Sequence, residues 1–320
     1  MKCFAARNAG LLAILLCLGA LAFAGSVITI PVGTVPKFVA VNQTTNVIYA
    51  SNLNSNNVSV IDGATNSVVA TVPVGTAPAG LDVNSTTNVV YVVNSEGNSV
   101  SVIDGSTNIV TATITGMSNP YSLAVNSATN QIFVANGDGN DVSVIDGATN
   151  SVIATVPVGR DPWGVSVNST ANLIYVANLL DATLSVIDGA SDTVINTFTL
   201  PPSYPTYIAS DPITHHLFVT DTMNNVVDVL DASSGKLLKT ITGGKVRFRT
   251  PAYVTVFQPG KSVLISDYSL NTVTAVDEST YATTGLPKAG SGPYGVAVNR
   301  KTLNIYTAEA FSDTVTAYNH

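Results

Sequence analysis

An all-β, radially repeated ring is the fold class this chain predicts, on three observations. A proline opens a short apolar run at Pro36, Pro78, Pro120, Pro162, Pro205, Pro251 and Pro293, in steps of 42, 42, 42, 43, 46 and 42 residues. Each interval carries several β-branched or aromatic runs of strand length, bounded by Asn, Asp, Gly and Ser. No segment beyond the N-terminal leader shows a sustained helical apolar period, so helix should be nearly absent. A period in the forties with several strands per unit belongs to radial β architectures, because one blade cannot bury both of its faces and must stack on neighbours. The expectation is a seven-bladed β-propeller of four-stranded antiparallel blades.

In chain order, the first element is an export leader over residues 1–24. Lys2 and Arg7 precede the apolar Leu11–Leu18, and Ala22-Phe23-Ala24 stands before Gly25, an A-x-A cleavage pattern. The apolar run is shorter than the ~20 residues a membrane-spanning helix needs, so no anchor is expected after cleavage. The propeller is then residues 25–320, exported to the periplasm, the cell surface or the medium. Cys3 and Cys17 both lie in the leader, which leaves no thiol for a disulfide, a metal thiolate or a nucleophile. Removing Lys2 and Arg7 from the 13 cations leaves 11 against 20 carboxylates, a net charge of −9. That balance argues against nucleic acid or an anionic membrane surface as partner. A single domain of this size buries enough surface to need no staple, and a monomer is expected.

Residues 78–120 show the unit. Pro78–Asn84, Asn88–Asn94, Ser99–Asp104 and Ile109–Ile114 read as strands a, b, c and d from the hub outward, joined by connections short enough for hairpins. The c–d corner repeats as Asp62-Gly63, Asp104-Gly105, Asp146-Gly147 and Asp188-Gly189. Asp hydrogen-bonds the backbone ahead of it and Gly tolerates positive φ, so this is turn chemistry rather than a metal or catalytic set. Within strand a, large residues such as Val39/Val41 and Leu123/Val125 flank small ones such as Ala40, Ala124, Ser166, Ala209 and Ala297, the alternation that fits blades converging on an axis. Asp82 breaks that pattern, and is either solvated by the channel or part of a site.

The chain ends predict how the ring closes. The unit from Pro293 supplies strands a, b and c and then stops, without strand d. The segment Val27-Ile28-Thr29-Ile30-Pro31-Val32-Gly33 matches the d strand Val69-Ala70-Thr71-Val72-Pro73-Val74-Gly75. The N-terminal strand should therefore complete the last blade, removing an open edge.

The b strands read Tyr49-Ala50-Ser51-Asn52, Tyr91-Val92-Val93-Asn94, Phe133-Val134-Ala135-Asn136, Tyr175-Val176-Ala177-Asn178, Phe218-Val219-Thr220-Asp221, Leu264-Ile265-Ser266-Asp267 and Tyr306-Thr307-Ala308-Glu309. With Val-Ile-Asp-Gly and Pro-Val-Gly-x-x-Pro elements, the chain closely resembles the YVTN-repeat β-propellers of exported and surface-layer proteins. The resemblance covers all of the chain after the leader and implies the fold and a surface, adhesive or binding role. Seven-bladed lactonases and haem-d1-type propellers are more distantly similar. Units five and six depart most, with Asp for Asn after strand b and a longer d–a connection.

The d–a and b–c connections should share one face around the channel mouth, where positions that differ between near-identical units are the informative ones. They are Lys37, Phe38, Tyr121, Arg160, Trp163, Tyr207, Arg247, Arg249, Tyr253 and Tyr294. Aromatics stack on rings and Arg forks take carboxylates, so these residues are the candidate ligand site; the competing reading has the aromatics plug the channel and the cations solvated. The ring Asn52, Asn94, Asn136, Asn178, Asp221, Asp267 and Glu309 reads first as b–c turn capping. Asn136–Asp141 resembles a calcium loop, but Gly147 stands where an EF-hand needs its glutamate, so no metal is expected. His215 and His216 fall on the a–b side, and no nucleophile elbow or phosphate loop is present.

These features favour a binding or envelope-interaction module without covalent chemistry or cofactor, whose partner is a glycan, an acidic small molecule or an envelope protein. The rival is a lactonase-like hydrolase or lyase using Glu309, Asp267 or Asp221 as base beside Arg160 and Arg249.

Overall fold

The computed structural model describes residues 25–244, 247–288 and 290–319. The leader expected over residues 1–24 lies outside the described residues, as do Lys245 and His320. Strand β1 is Val27–Pro31. Blade one is β2 (Pro36–Asn42), β3 (Val47–Asn52), β4 (Asn57–Asp62) and β5 (Ser67–Pro73). Blade two is β6 (Pro78–Asn84), β7 (Val89–Asn94), β8 (Ser99–Asp104) and β9 (Ile109–Thr115). Blade three is β10 (Pro120–Asn126), β11 (Gln131–Asn136), β12 (Asp141–Asp146) and β13 (Ser151–Pro157). Blade four is β14 (Pro162–Asn168), β15 (Leu173–Asn178), β16 (Thr183–Asp188) and β17 (Thr193–Thr199). Blade five is β18 (Pro205–Asp211), β19 (His216–Asp221), β20 (Val226–Asp231) and β21 (Leu237–Ile241). Blade six is β22 (Pro251–Phe257), β23 (Ser262–Asp267), β24 (Thr272–Asp277) and the short β25 (Thr283–Gly285). Blade seven contributes β26 (Pro293–Val298), β27 (Ile305–Glu309) and β28 (Thr314–Tyr318).

The fold is the expected seven-bladed propeller, with each blade a four-stranded antiparallel sheet. A single 3₁₀ turn at Gln258–Gly260 is the helical element among the described residues, and no described helix is long and apolar enough to cross a membrane. The last blade has the order β1-β28-β27-β26, so the N-terminal strand completes it, in the register Ile28↔Ala317 and Ile30↔Val315. Ile30 is buried against Val315 and Ala317 in one cluster.

Two sequence signatures turn out to be contacts between blades. The b-strand tyrosine reaches the c–d corner of the following blade, where a Cβ on Gly105 would meet the Tyr49 hydroxyl at 2.8 Å. Burial, then the charge of Asp104, pushes Tyr49 up to about 12. The corner Asp caps its turn as expected, with Ala64 N on Asp62 Oδ1 at 2.8 Å. The corner glycine has a different reason from the expected one. The positive φ falls on Asn66, Asn108, Asn150 and Asp192. Gly105 and Gly147 are instead needed for room, because a Cβ would sit 2.5 and 2.7 Å from Asn88 and Asn130 Oδ1.

Those turn asparagines knit the ring. Asn42, Asn84, Asn126 and Asn299, each just after or at the end of an inner strand, donate their amides to Asn88, Asn130, Asn172 and Asn46 of the next blade at 2.6–2.7 Å. The seam between blades five and six is built differently. Asp211 stands in place of the donor, Lys261 in place of the acceptor, and Glu278 in place of the corner glycine. The carboxyl of Glu278 therefore meets the carboxyl of Asp211 where four other seams join two amides. Burial raises Asp211, but hydrogen bonds from Glu278, Ile213 N, Thr214 Oγ1 and Gln258 outweigh it and hold it below its ordinary value. Burial, then the hydrogen bond and charge of Asp211, pushes Glu278 up to about 8. One proton held on Glu278 and donated to Asp211 satisfies the pair.

Two outcomes follow from this architecture. Deleting Ser26–Val32 strips the outer strand from blade seven, and calorimetry should show a loss of roughly 10 °C in Tm; an unchanged melt would contradict the closure. Glu278 is protonated when folded, so its contribution is full below about pH 4.5 and is lost as pH rises toward about 8. Glu278→Gln should leave Tm near pH 4.5 within about 1 °C and raise it by a few degrees at pH 9, flattening the pH dependence measured by thermal denaturation.

Candidate functional site

On one face the d–a and b–c loops interlock. Leu53 N bonds Val35 O at 3.0 Å, and Ser95 N bonds Ala77 O at 3.0 Å. The Pro-Val-Gly element packs directly on the b-strand asparagine: a Cβ on Gly75 would lie 2.6 Å from Asn94 Cγ. The asparagines face inward and brace their hairpins. Asn52 donates to Asn57 Oδ1 (2.7 Å) and Ser59 Oγ (2.9 Å), and Asn136 donates to Asp141 Oδ1 (2.7 Å) and Ser143 Oγ (2.8 Å). The Asn136–Asp141 segment is thus a braced turn.

The acidic members of this ring cap loops as well. Asp221 accepts from the N–H groups of Tyr204, Met223 and Asn224 and from Asn224 Nδ2 at 2.7–3.1 Å. Asp267 accepts from Arg249 N at 2.6 Å, Leu270 N at 3.0 Å and Thr250 N at 3.3 Å. Glu309 is buried and accepts from Thr307 Oγ1 at 2.5 Å, and burial pushes it up to about 7. Among the described residues no ion pair joins these three to an arginine. Arg160 pairs instead with Asp181, Nε to Oδ1 at 2.5 Å, on the open surface.

The ten candidate residues sort into two clusters and an outlying pair. Phe38, Tyr207, Tyr253 and Tyr294 converge at the d–a end of the channel. Phe38 lies edge-on to the other three, at ring centroid distances of 5.5–5.6 Å. Tyr207 is buried, and its hydroxyl lies 3.4 Å from that of Tyr294. Burial raises the hydroxyls of Tyr207, Tyr253 and Tyr294 well above their ordinary value, so the cluster is an uncharged plug. Lys37 Nζ sits 4.0 Å from the Tyr294 ring centre, a cation–π contact, and burial lowers its pKa.

Tyr121, Arg160 and Trp163 form the second cluster, in a rim groove of about 450 Å³ between blades three and four. Tyr121 and Trp163 stack at 4.1 Å with planes 17° apart. Trp163 Nε1 donates to Asp161 Oδ1 at 3.1 Å, and Asn119 Nδ2 donates to Asp138 Oδ1 at 3.3 Å. Trp163 lies 6.4 Å from Tyr207, linking groove to plug. Arg247 and Arg249 stand apart, exposed on the long loop before blade six, while Phe248 between them is buried in the core. Beneath the plug, the axis holds a polar cavity of about 280 Å³ walled by strands a.

Sequence reasoning met Asp161 beside its proline and read Asp138 and Asn140 only as part of a calcium-like turn; it passed over Asn119 in the groove, and Tyr268 and Phe311, whose rings lie 4.8 Å apart. Tyr268 and Phe311 lie on b–c loops; the readable signal was variation there, away from the prolines.

The chain is similar in fold to a chain of the solved Kuenenia stuttgartiensis hydrazine synthase, with a TM-score of 0.79 and 19% identity, covering 90% of this chain and 96% of that one. No curated protein matches it. A family model described as YNCE-like β-propeller matches residues 6–319. With seven blades closed by the first strand and a match over nearly its whole length, the chain belongs to the YNCE-like β-propeller family.

Proposed function

We propose that the chain is an exported, monomeric binding module of the cell envelope, of the YVTN-repeat type, whose rim groove between blades three and four holds a sugar ring. The observation that carries this reading is the Tyr121–Trp163 stack at 4.1 Å beside Asp138, Asp161, Asn119 and Asn140. A pyranose offers an apolar C–H face to an aromatic plane and a rim of hydroxyls to carboxylates and amides. Charge decides between the ligand classes. The groove carries Asp138 and Asp161 against Arg160, and Arg160 is already paired with Asp181. An anionic ligand would meet repulsion there, whereas a neutral glycan would not.

Binding is favoured over hydrolysis because two of the three carboxylates an enzyme would use are occupied and the third is buried. Asp221 and Asp267 have their oxygens filled by loop donors, and Glu309 is buried beside Thr307.

Screening the purified protein on a glycan array, followed by titration calorimetry on the hits, tests the reading. Trp163→Ala should weaken binding by about 10-fold or more, the worth of one aromatic stacking contact, and Asp138→Ala should weaken it by a similar factor through a lost charge-assisted hydrogen bond. Glycan affinity unchanged in both variants would move the site elsewhere. Turnover of a lactone panel that disappears in Glu309→Gln and Asp267→Asn would replace the reading with the hydrolase.

A further inference from the structure

We infer that the central channel is a second, separate site, which takes a small zwitterion with its ammonium on Asp82 and its anionic group toward Arg300. The internal repeat supplies the first argument. Four residues after the proline, six inner strands carry Ala40, Ala124, Ser166, Ala209, Thr255 and Ala297, and only β6 carries a charge. A carboxylate in a narrow channel wall incurs a desolvation cost that the sister positions avoid.

The second argument separates charge from scaffolding. Asp82 Oδ2 accepts Val125 N of the next inner strand at 2.9 Å, and Oδ1 accepts Val83 N at 2.8 Å. The same strut between blades four and five is made without charge: Ser166 Oγ accepts Ser210 N at 3.0 Å. A hydroxyl therefore suffices to join neighbouring inner strands, and the charge of Asp82 is surplus to the strut. Each of its oxygens keeps a further lone pair for a donor in the cavity. Burial pushes Asp82 up to about 6, against the pull of the Val125 and Val83 amides and of Arg300, so it is mainly ionised at pH 7.5.

The cavity's shape fixes the ligand's size and direction. Tyr253 of the plug lines it, closing the d–a end, and Gln43 and Arg300 line it at the a–b turns, where access remains. Arg300 N bonds Gln43 Oε1 at 2.9 Å, and Gln43 Nε2 bonds Val298 O at 2.8 Å, so the cation is carried on the seam between blades seven and one. Ser166 and Ser210 add hydroxyls to the same cavity wall. About 280 Å³ is below the usual range for drug-sized ligands and suits a molecule of amino-acid size.

Titration of the full protein at pH 7.5 with glycine, β-alanine, 4-aminobutyrate and ethanolamine, followed by calorimetry and thermal shift, tests the site. At least one of the zwitterions should bind, with an affinity that varies along the chain-length series. Asp82→Ser keeps the strut: it should melt no lower than the native protein and bind that zwitterion at least ~10-fold more weakly, the loss of a charge-assisted contact. Arg300→Ala should reduce the preference for the zwitterion over ethanolamine. No binding of any probe to the native protein, or undiminished binding by Asp82→Ser, would overturn the inference. Trp163→Ala should leave this binding unchanged, which separates the channel from the groove.

Discussion

The ring stands on a noncovalent clasp between the two ends of the chain. β1 supplies Ile28 and Ile30 to blade seven, and its backbone pairs along β28 from Val27↔Tyr318 to Pro31↔Thr314. The clasp continues into the loops, where Val32 N bonds Asp313 O at 3.0 Å and Val35 N bonds Asp313 Oδ1 at 2.8 Å. A propeller blade is stable only when both faces are covered, so each seam depends on every other seam being closed. With no cysteine among residues 25–320, the ring rests on packing, and on the amide ladder that Asn299 and Asn46 complete between blades seven and one.

That dependence shapes where function can sit. The d–a end of the axis is filled with Phe38, Tyr207, Tyr253 and Tyr294, which pack on one another edge to face. Such rings contribute through burial and mutual contact, and they are not free to grip a ligand. What remains open is off the axis, where Trp163 turns from the plug toward Tyr121, and below it, where the inner strands wall a cavity. One aromatic cluster thus separates two polar spaces that face opposite sides of the disc.

The fold was legible because its causes are local and repeated. Prolines at a fixed interval, Asp at each c–d corner and a b strand ending in Asn each report one contact, and the repeat multiplies it around the ring. The reason for the corner glycine was not legible, since it depends on Asn88 approaching from another hairpin. The candidate site was legible only by residue type. Ten positions stood out as unlike their repeats, but nothing in their spacing says that Phe38 turns inward while Trp163 turns outward along the rim. The b–c turn capping read for Asp221 and Asp267 is there, from Met223, Asn224 and Leu270, but sequence does not show the further donors Tyr204, Arg249 and Thr250, because they come from the irregular loops before Pro205 and Pro251. The buried Asp211–Glu278 contact escaped because its members lie in different blades and replace one asparagine and one glycine.

Asn-x-Ser/Thr sequons stand at Asn42, Asn57, Asn84 and Asn168, and three of these four carry the same lesson. Asn42, Asn84 and Asn168 are buried and hold the turns, so the motif there is a by-product of packing. The central claim, that the first strand is an integral member of the last blade, is tested most directly by native-state hydrogen exchange. The β1 amides that pair with β28 should exchange as slowly as those of β27, in a single cooperative unit. Fast exchange over residues 27–31 with β27 still protected would show that the ring holds without its clasp, and would contradict the account.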